Sequence, residues 1–137
     1  ALREAGLDAH PDRIRRWKGF EFEGGTSLMQ TVLDERKILP TAIFAANDAM
    51  AIAAMKTAMM NGLTVPNDIS FVGFDNVPMA SQMHPGLTTM DVPLEEIGKN
   101  SIRLLFGQMD NVKIQEPNIR IRSRLVERES VKKMGNV

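Results

Sequence analysis

Two adjacent polar pairs, Asn47-Asp48 and Asp75-Asn76, are the positions in this chain where side-chain chemistry concentrates. Each pair follows a short apolar run, Thr41 to Ala46 in the first case and Ile69 to Phe74 in the second. Between them lie a helical stretch, Ala49 to Met60, and an Asn61-Gly62 stop. Strand, helix and strand at this spacing form a βαβ unit, and such a unit implies a parallel sheet. Ligands bind these sheets beyond the carboxyl ends of the strands, where both polar pairs fall. Carboxylates and amides there can hydrogen-bond a small molecule. Asp48 and Asp75 could alternatively form an acid–base pair or a magnesium site. The architectural reading stands beside these. Asp48 suits the N-cap of the helix, accepting unpaired N–H groups of its first turn, and Asp75 suits a turn.

The elements that position these pairs follow along the chain. Ala1 to Leu7 reads as the end of a helix stopped at Gly6, so the chain is expected to be a fragment that starts inside a helix. Arg13 to Phe20 could hold a short, highly basic edge strand, and Glu21 to Gly25 a turn. A helix is expected from about Thr26, capped by Thr26 or Ser27, with Leu28, Met29, Val32 and Leu33 on its apolar face. Ala42 to Ala46 is apolar throughout, the signature of a strand covered on both faces. The helix Ala49 to Met60 has so little charge that it should be covered on more than one side. A short helical turn fits Met79 to Met83, and a third strand or a crossover fits Leu87 to Val92. Pro93 opens a helix over Leu94 to Gln108. Asn118 to Val126 alternates Ile119, Ile121, Ser123 and Leu125 with arginines, as a half-exposed edge strand does, and a frayed tail is expected from Ser130 onward. The order is that of an α/β protein with a mostly parallel sheet flanked by helices.

Composition narrows the function classes. The 137 residues carry 17 Lys and Arg against 17 Asp and Glu. A zero net charge offers no footprint for nucleic acid or an anionic membrane. The absence of cysteine excludes disulfides and thiolate zinc sites. No apolar run approaches the roughly 20 residues that span a bilayer, and no signal-peptide pattern is present. His10 and His84 lack metal-ligand spacing, so no metal is expected. No P-loop, serine elbow or dinucleotide glycine pattern occurs. A receiver-like enzyme would need an early acidic pair and a late lysine, and neither is in place. The residues therefore argue against an enzyme and call for no cofactor. Ten methionines point to an adaptable core or an interface.

Longer motifs carry a resemblance. Pro40-Thr41-Ala42-Ile43-Phe44-Ala45-Ala46-Asn47-Asp48-Ala49-Met50-Ala51, then Gly62 to Asn76, Pro85-Gly86-Leu87-Thr88-Thr89 and the closing Leu125-Val126-Glu127-Arg128-Glu129-Ser130 resemble the lactose-repressor/galactose-repressor family of bacterial transcription regulators. The likeness implies a periplasmic-binding-protein-like (type I) core of two subdomains with a small effector, such as a sugar, in the cleft between them. Residues 1–130 would be an incomplete C-terminal subdomain of the effector-binding and dimerisation core, lacking its first helix and strand, and 131–137 a tail. The helix at 94–108 would cross to the N-terminal subdomain. The operator-binding headpiece is absent from this stretch. Matched position by position, the resemblance implies effector contacts from Asp75, Asn47 and Phe20, with Trp17 a competitor for the stacking role. It places Met50, Met55, Met59, Met83 and His84 at a homodimer interface, with a tetramer of such dimers left open. The family's cleft arginine would lie upstream of Ala1, and its polar crossover position is Val92 here. The implied protein is a cytoplasmic repressor. The alternatives are an exported sugar-binding protein of the same fold, or an enzyme using Asp48 and Asp75.

Overall fold

The computed structural model describes residues 3–6, 10–35, 39–109 and 118–133. Four strands form one sheet in the order β1 (Ala42–Phe44), β2 (Ser70–Asp75), β3 (Thr88–Asp91), β4 (Arg124–Val126). β1, β2 and β3 are parallel, and β4 closes the far edge antiparallel to β3. Among the described residues four α-helices accompany it: α1 (Phe22–Asp34), α2 (Asp48–Met60), α3 (Pro78–Gln82) and α4 (Leu94–Met109). The expected βαβ unit is thus β1–α2–β2, and Asp75 aligns with Asp91 at the carboxyl edge of the sheet.

The core lies between α2 and the sheet. Phe71, Ile69, Leu87, Met55 and Ile52 are fully buried there, with Met29 reaching in from α1. Each such side chain contributes about 1.5–3 kcal/mol of transfer free energy. α2 is buried around most of its circumference, as its lack of charge predicts: one side meets β2 and another meets α1. Asn61 and Gly62 stop it, with Gly62 at φ +86°. Gly6 likewise takes φ +70° at the expected stop; Leu7 lies outside the described residues.

Several local expectations are corrected. α1 begins at Phe22, not Thr26, so Glu21 rather than Thr26 or Ser27 occupies its N-cap position. Gly24 and Gly25 are not turn residues but contact points. A Cβ on Gly25 would sit 2.2 Å from the carbonyl oxygen of Met50, and one on Gly24 would sit 2.5 Å from the Trp17 ring. Residues 13–20 form no strand; a single 3-10 turn, Pro11–Arg13, leads into extended chain. β1 is not covered on both faces, because Phe44 is 66% exposed. From Asn118 to Ser123 the in–out alternation is present without strand pairing, and only Arg124–Val126 joins the sheet.

Ser130 is a core tie rather than the start of a frayed tail. Its hydroxyl donates to the Phe71 carbonyl (2.6 Å) and accepts the Thr88 N–H (2.8 Å). The Phe71 N–H donates to the Ser130 carbonyl (2.9 Å). The closing segment is thereby pinned across β2 and β3. α4 is the opposite case: none of its residues is buried, and Leu94, Ile102, Leu105, Phe106 and Met109 are exposed. The expected helix end at Asp110-Asn111 lies outside the described residues.

Two helical glycines separate packing from propensity. Gly→Ala inside a helix stabilises by roughly 0.5–1 kcal/mol when nothing is in the way. Gly98 in α4 has nothing within 4 Å of its missing Cβ, so Gly98→Ala is expected to raise stability by about that amount. Gly25→Ala must displace backbone, at about 1–3 kcal/mol for an overpacked site, and is expected to be net destabilising. Urea midpoints of the two variants, shifted in opposite directions, check this.

Candidate functional site

The carboxyl edge of the sheet brings together the ends of β1, β2 and β3. Asn47, not Asp48, is the N-cap of α2: its Oδ1 accepts the Met50 N–H (2.8 Å). Its Nδ2 donates to the Phe20 carbonyl (2.8 Å), which ties the segment before α1 to this edge. A cap amide still has one N–H and one lone pair to offer a ligand. The Phe20 ring is 68% exposed. Trp17, its competitor, lies against Gly24, so Phe20 is the freer of the two rings for stacking.

Asp48 corrects the expectation of a cap. It is the first helical residue and fully buried. Its Oδ2 accepts the Val77 N–H (2.8 Å) and its Oδ1 accepts the Thr89 hydroxyl (2.5 Å). Gly73 makes room for it, since a Cβ there would stand 2.2 Å from Asp48 Oδ1. With both oxygens engaged and no exposed surface, Asp48 is closed to a metal ion and to substrate. The paired-carboxylate enzyme reading thereby loses one of its two members. Among the described residues no group of three or more His, Cys, Asp or Glu is arranged to hold a metal.

Asp75 is the contrasting carboxylate. It ends β2, is half-buried, and has no side-chain hydrogen bond among the described residues. Desolvation raises its pKa above the ordinary carboxylate value, and the charge of Asp48 raises it further. Its backbone is also costly: Asp75 has φ +117° and Asn76 φ +58°. Asn is among the few residues that tolerate the left-handed region, whereas Asp75 lies outside the common wells. Such strain persists only where the surroundings over-determine it, and it clusters at ligand sites.

What holds this turn lies largely outside the residues singled out from the sequence. Asn76 Nδ2 donates to Asp91 Oδ1 (2.9 Å), and its Oδ1 accepts from Arg128 Nη2 (2.8 Å). Arg128 Nη1 donates to the Leu87 carbonyl (2.7 Å). Arg124 reaches Asp91 Oδ2 at 3.4 Å. The signal for Arg128 was its place in the motif Leu125 to Ser130, but nothing in its spacing pointed to Asn76. Val92 directly follows β3 and is half-buried.

The interface residues divide. Met55 is fully buried and Met50 is 8% exposed, both inside this chain. The expectation that they meet a second subunit is corrected by that burial. Met59 and Met83 are half-buried, and His84 is exposed.

A mostly parallel sheet flanked by helices, with the Asp75 carboxylate, unpartnered among the described residues, at its carboxyl edge, has the architecture in which α/β proteins place ligand sites. Residues 1–131 match the family of periplasmic binding protein-like domains. The HTH-type transcriptional repressor CytR of Escherichia coli (strain K12) is 42% identical over 109 residues, covering 80% of this chain and 31% of CytR. A regulatory protein of the LacI family from Chloroflexus aggregans superposes with a TM-score of 0.83 at 34% identity, over 96% of this chain and 47% of that one. The transcriptional regulator CelR, in complex with cellobiose, superposes with a TM-score of 0.85 at 28% identity, over 94% of this chain and 39% of that one. The chain belongs to the family of periplasmic binding protein-like domains, and the relatives it resembles here are transcription regulators. It spans about a third of the length of CytR.

Two stability measurements test the contrast between the carboxylates. Asp48→Ala leaves the Val77 N–H and the Thr89 hydroxyl buried without an acceptor, at about 1–3 kcal/mol each. A loss of roughly 3 kcal/mol in urea unfolding is expected. Asp75 has the opposite sign. Its folded pKa exceeds its unfolded value of 3.8, so between the two the folded state binds more protons and stability falls as pH rises. Asp75→Asn is therefore expected to be more stable than the parent at pH 7 and to lose that decline. Unfolding curves for both proteins from about pH 3.5 to 7 decide it, and parallel pH profiles would overturn the assignment.

Proposed function

We propose that this chain is the effector-sensing part of a DNA-binding transcriptional repressor, and that its ligand is a sugar or a related hydroxylated metabolite. The observation that carries the reading is Asp75: a half-buried carboxylate at a strand's carboxyl end, held on a strained turn, with no protein partner among the described residues. Such a group accepts its strongest hydrogen bonds from a ligand hydroxyl or ring N–H. Asn47 supplies a second polar contact through its remaining valences, and the exposed Phe20 ring a face for stacking on an apolar ring surface. The complex of CelR with cellobiose is a carbohydrate precedent on the same fold.

In this reading the effector favours one arrangement of the cleft, and that preference is transmitted to operator DNA through a helix-turn-helix domain outside these residues. The protein works as a homodimer, with Met59, Met83 and His84 on its contact face. As an operator-binding protein it acts in the cytoplasm. Two features favour the regulator over an exported binding protein of the same fold: the helix-turn-helix repressor CytR as a relative, and the closing motif Leu125 to Ser130.

A charged hydrogen bond contributes about 1.5–3 kcal/mol, and every 1.4 kcal/mol is tenfold in affinity. Asp75→Ala in the full-length protein is accordingly expected to weaken effector binding tenfold or more while leaving the fold intact. Calorimetric titration with a panel of mono- and disaccharides, cellobiose first, measures this. A variant that binds its sugar as tightly as the parent would remove Asp75 from the site.

A further inference from the structure

Arg128 stands far from Asp75 in sequence and has no assigned role, yet its guanidinium touches both ends of one connection. The segment from Asn76 to Leu87 leaves β2, turns back through α3 and enters β3. Arg128 Nη2 donates to Asn76 Oδ1 (2.8 Å) at the first end, and Nη1 donates to the Leu87 carbonyl (2.7 Å) at the other. The main chain of Arg128 is itself fixed, because its N–H donates to Thr88 Oγ1 (2.9 Å) and its carbonyl accepts from the same hydroxyl (3.2 Å). Gly86 leaves space for the stem: a Cβ there would lie 3.2 Å from Arg128 Cδ. The neighbouring Glu129 carboxylate accepts the Gly86 N–H (3.0 Å). Asn76, gripped on its oxygen by Arg128, is gripped on its nitrogen by Asp91 (2.9 Å).

This arrangement acts on the residue that carries the proposed function. Asp75 and Asn76 hold successive positive φ angles, and the strained Asp75 conformation relaxes unless its surroundings forbid it. The Asn76 side chain is the handle on that turn, and both of its ends are held. We propose that Arg128 is a positioning residue for effector recognition: its fork fixes the left-handed turn from which the Asp75 carboxylate is presented. The inference rests on the reading of Asp75 as the effector contact. Two parallel N–H donors aimed at two acceptors require the planar guanidinium; a lysine ammonium is a point donor on a flexible stem.

The test compares Arg128→Met and Arg128→Lys with Ile69→Ala, whose core cavity costs stability at the opposite end of β2 from this turn, all in the full-length protein. Crystal structures and calorimetry with cellobiose are the two readouts. In both Arg128 variants, Asp75 and Asn76 are expected to leave their positive φ values, or to lose a single conformation. Sugar affinity is expected to fall about tenfold, the loss of one charge-assisted hydrogen bond. Ile69→Ala should unfold more easily yet keep both the turn and the affinity. If Arg128→Met fails to fold, Arg128→Lys decides alone. An unchanged turn in the folded Arg128 variants would overturn the proposal whether or not cellobiose binds, because it would reduce Arg128 to a stabilising contact. Failure of the Asp75 reading looks different: the turn collapses in the Arg128 variants, while Asp75→Ala keeps its affinity for sugar.

Discussion

The buried carboxylate of Asp48 is the interaction on which the rest of the site depends. It lies at the start of α2, where the helix dipole favours negative charge, and it accepts one hydrogen bond from Val77 and one from Thr89. Those two contacts join the first turn of α2 to the chain just past β2 and to the middle of β3. A buried charge is tolerated only when its lone pairs are satisfied, and no buried side-chain polar atom among the described residues lacks a partner. Because Val77 must reach Asp48, the chain has one residue, Asn76, in which to reverse after β2 ends at Asp75. That short reach brings the chain into the left-handed region, and the side-chain bonds of Asn76 to Arg128 and Asp91 hold it there. Gly73 belongs to the same constraint, since any side chain there would expel the carboxylate.

The two carboxylates are thus set apart by environment although their sequence settings look alike. Asp48 has hydrogen-bond donors and a helix terminus. Asp75 has neither, and it feels the charge of Asp48 besides. The free protein bears the cost of Asp75 without any return in stability. That is the usual condition of a binding residue, whose partner arrives from solution.

The parts of this arrangement that follow local rules were legible from the residues. The β1–α2–β2 unit, the stop at Asn61-Gly62, and the position of Asp75 at a strand end all came from periodicity and turn chemistry. What escaped was decided by tertiary contact. Asn and Asp are equally good caps, so Asn47-Asp48 cannot be resolved locally; Val77 and Thr89 decide it. Gly24-Gly25 carries the composition of a turn, but its conformational role is the close approach of α1 to α2. The basic run Arg13 to Lys18 alternates too weakly to distinguish strand from extended loop. Met50 and Met55 have the same composition signal as surface methionines, and only the packing of α2 between α1 and the sheet turns them inward. Arg128 and Ser130 sit in a motif that marked the family. Their bonds to Asn76, Leu87, Phe71 and Thr88 join residues at least 40 positions away, and no spacing rule reaches that far.

On the proposed reading, the strain at Asp75 also bears on how binding could be coupled to a distant domain. An effector shifts a conformational equilibrium only by the difference in its affinity for the two states. Allosteric couplings are typically about 1–3 kcal/mol, the same range as one charged hydrogen bond. A single carboxylate that meets its donor in one cleft geometry and misses it in the other would therefore be enough to carry the switch. That demands a carboxylate whose position does not relax to follow the ligand. A floppy Asp75 would bind both geometries nearly equally and shift nothing, however tightly it bound. The clamp from Arg128 through Asn76, together with the Asp48–Val77 bond on the other side of the turn, denies Asp75 that freedom. Rigidity at this turn is what would convert affinity into differential affinity, and the hydrogen bonds that converge on Asn76 and Val77 supply it.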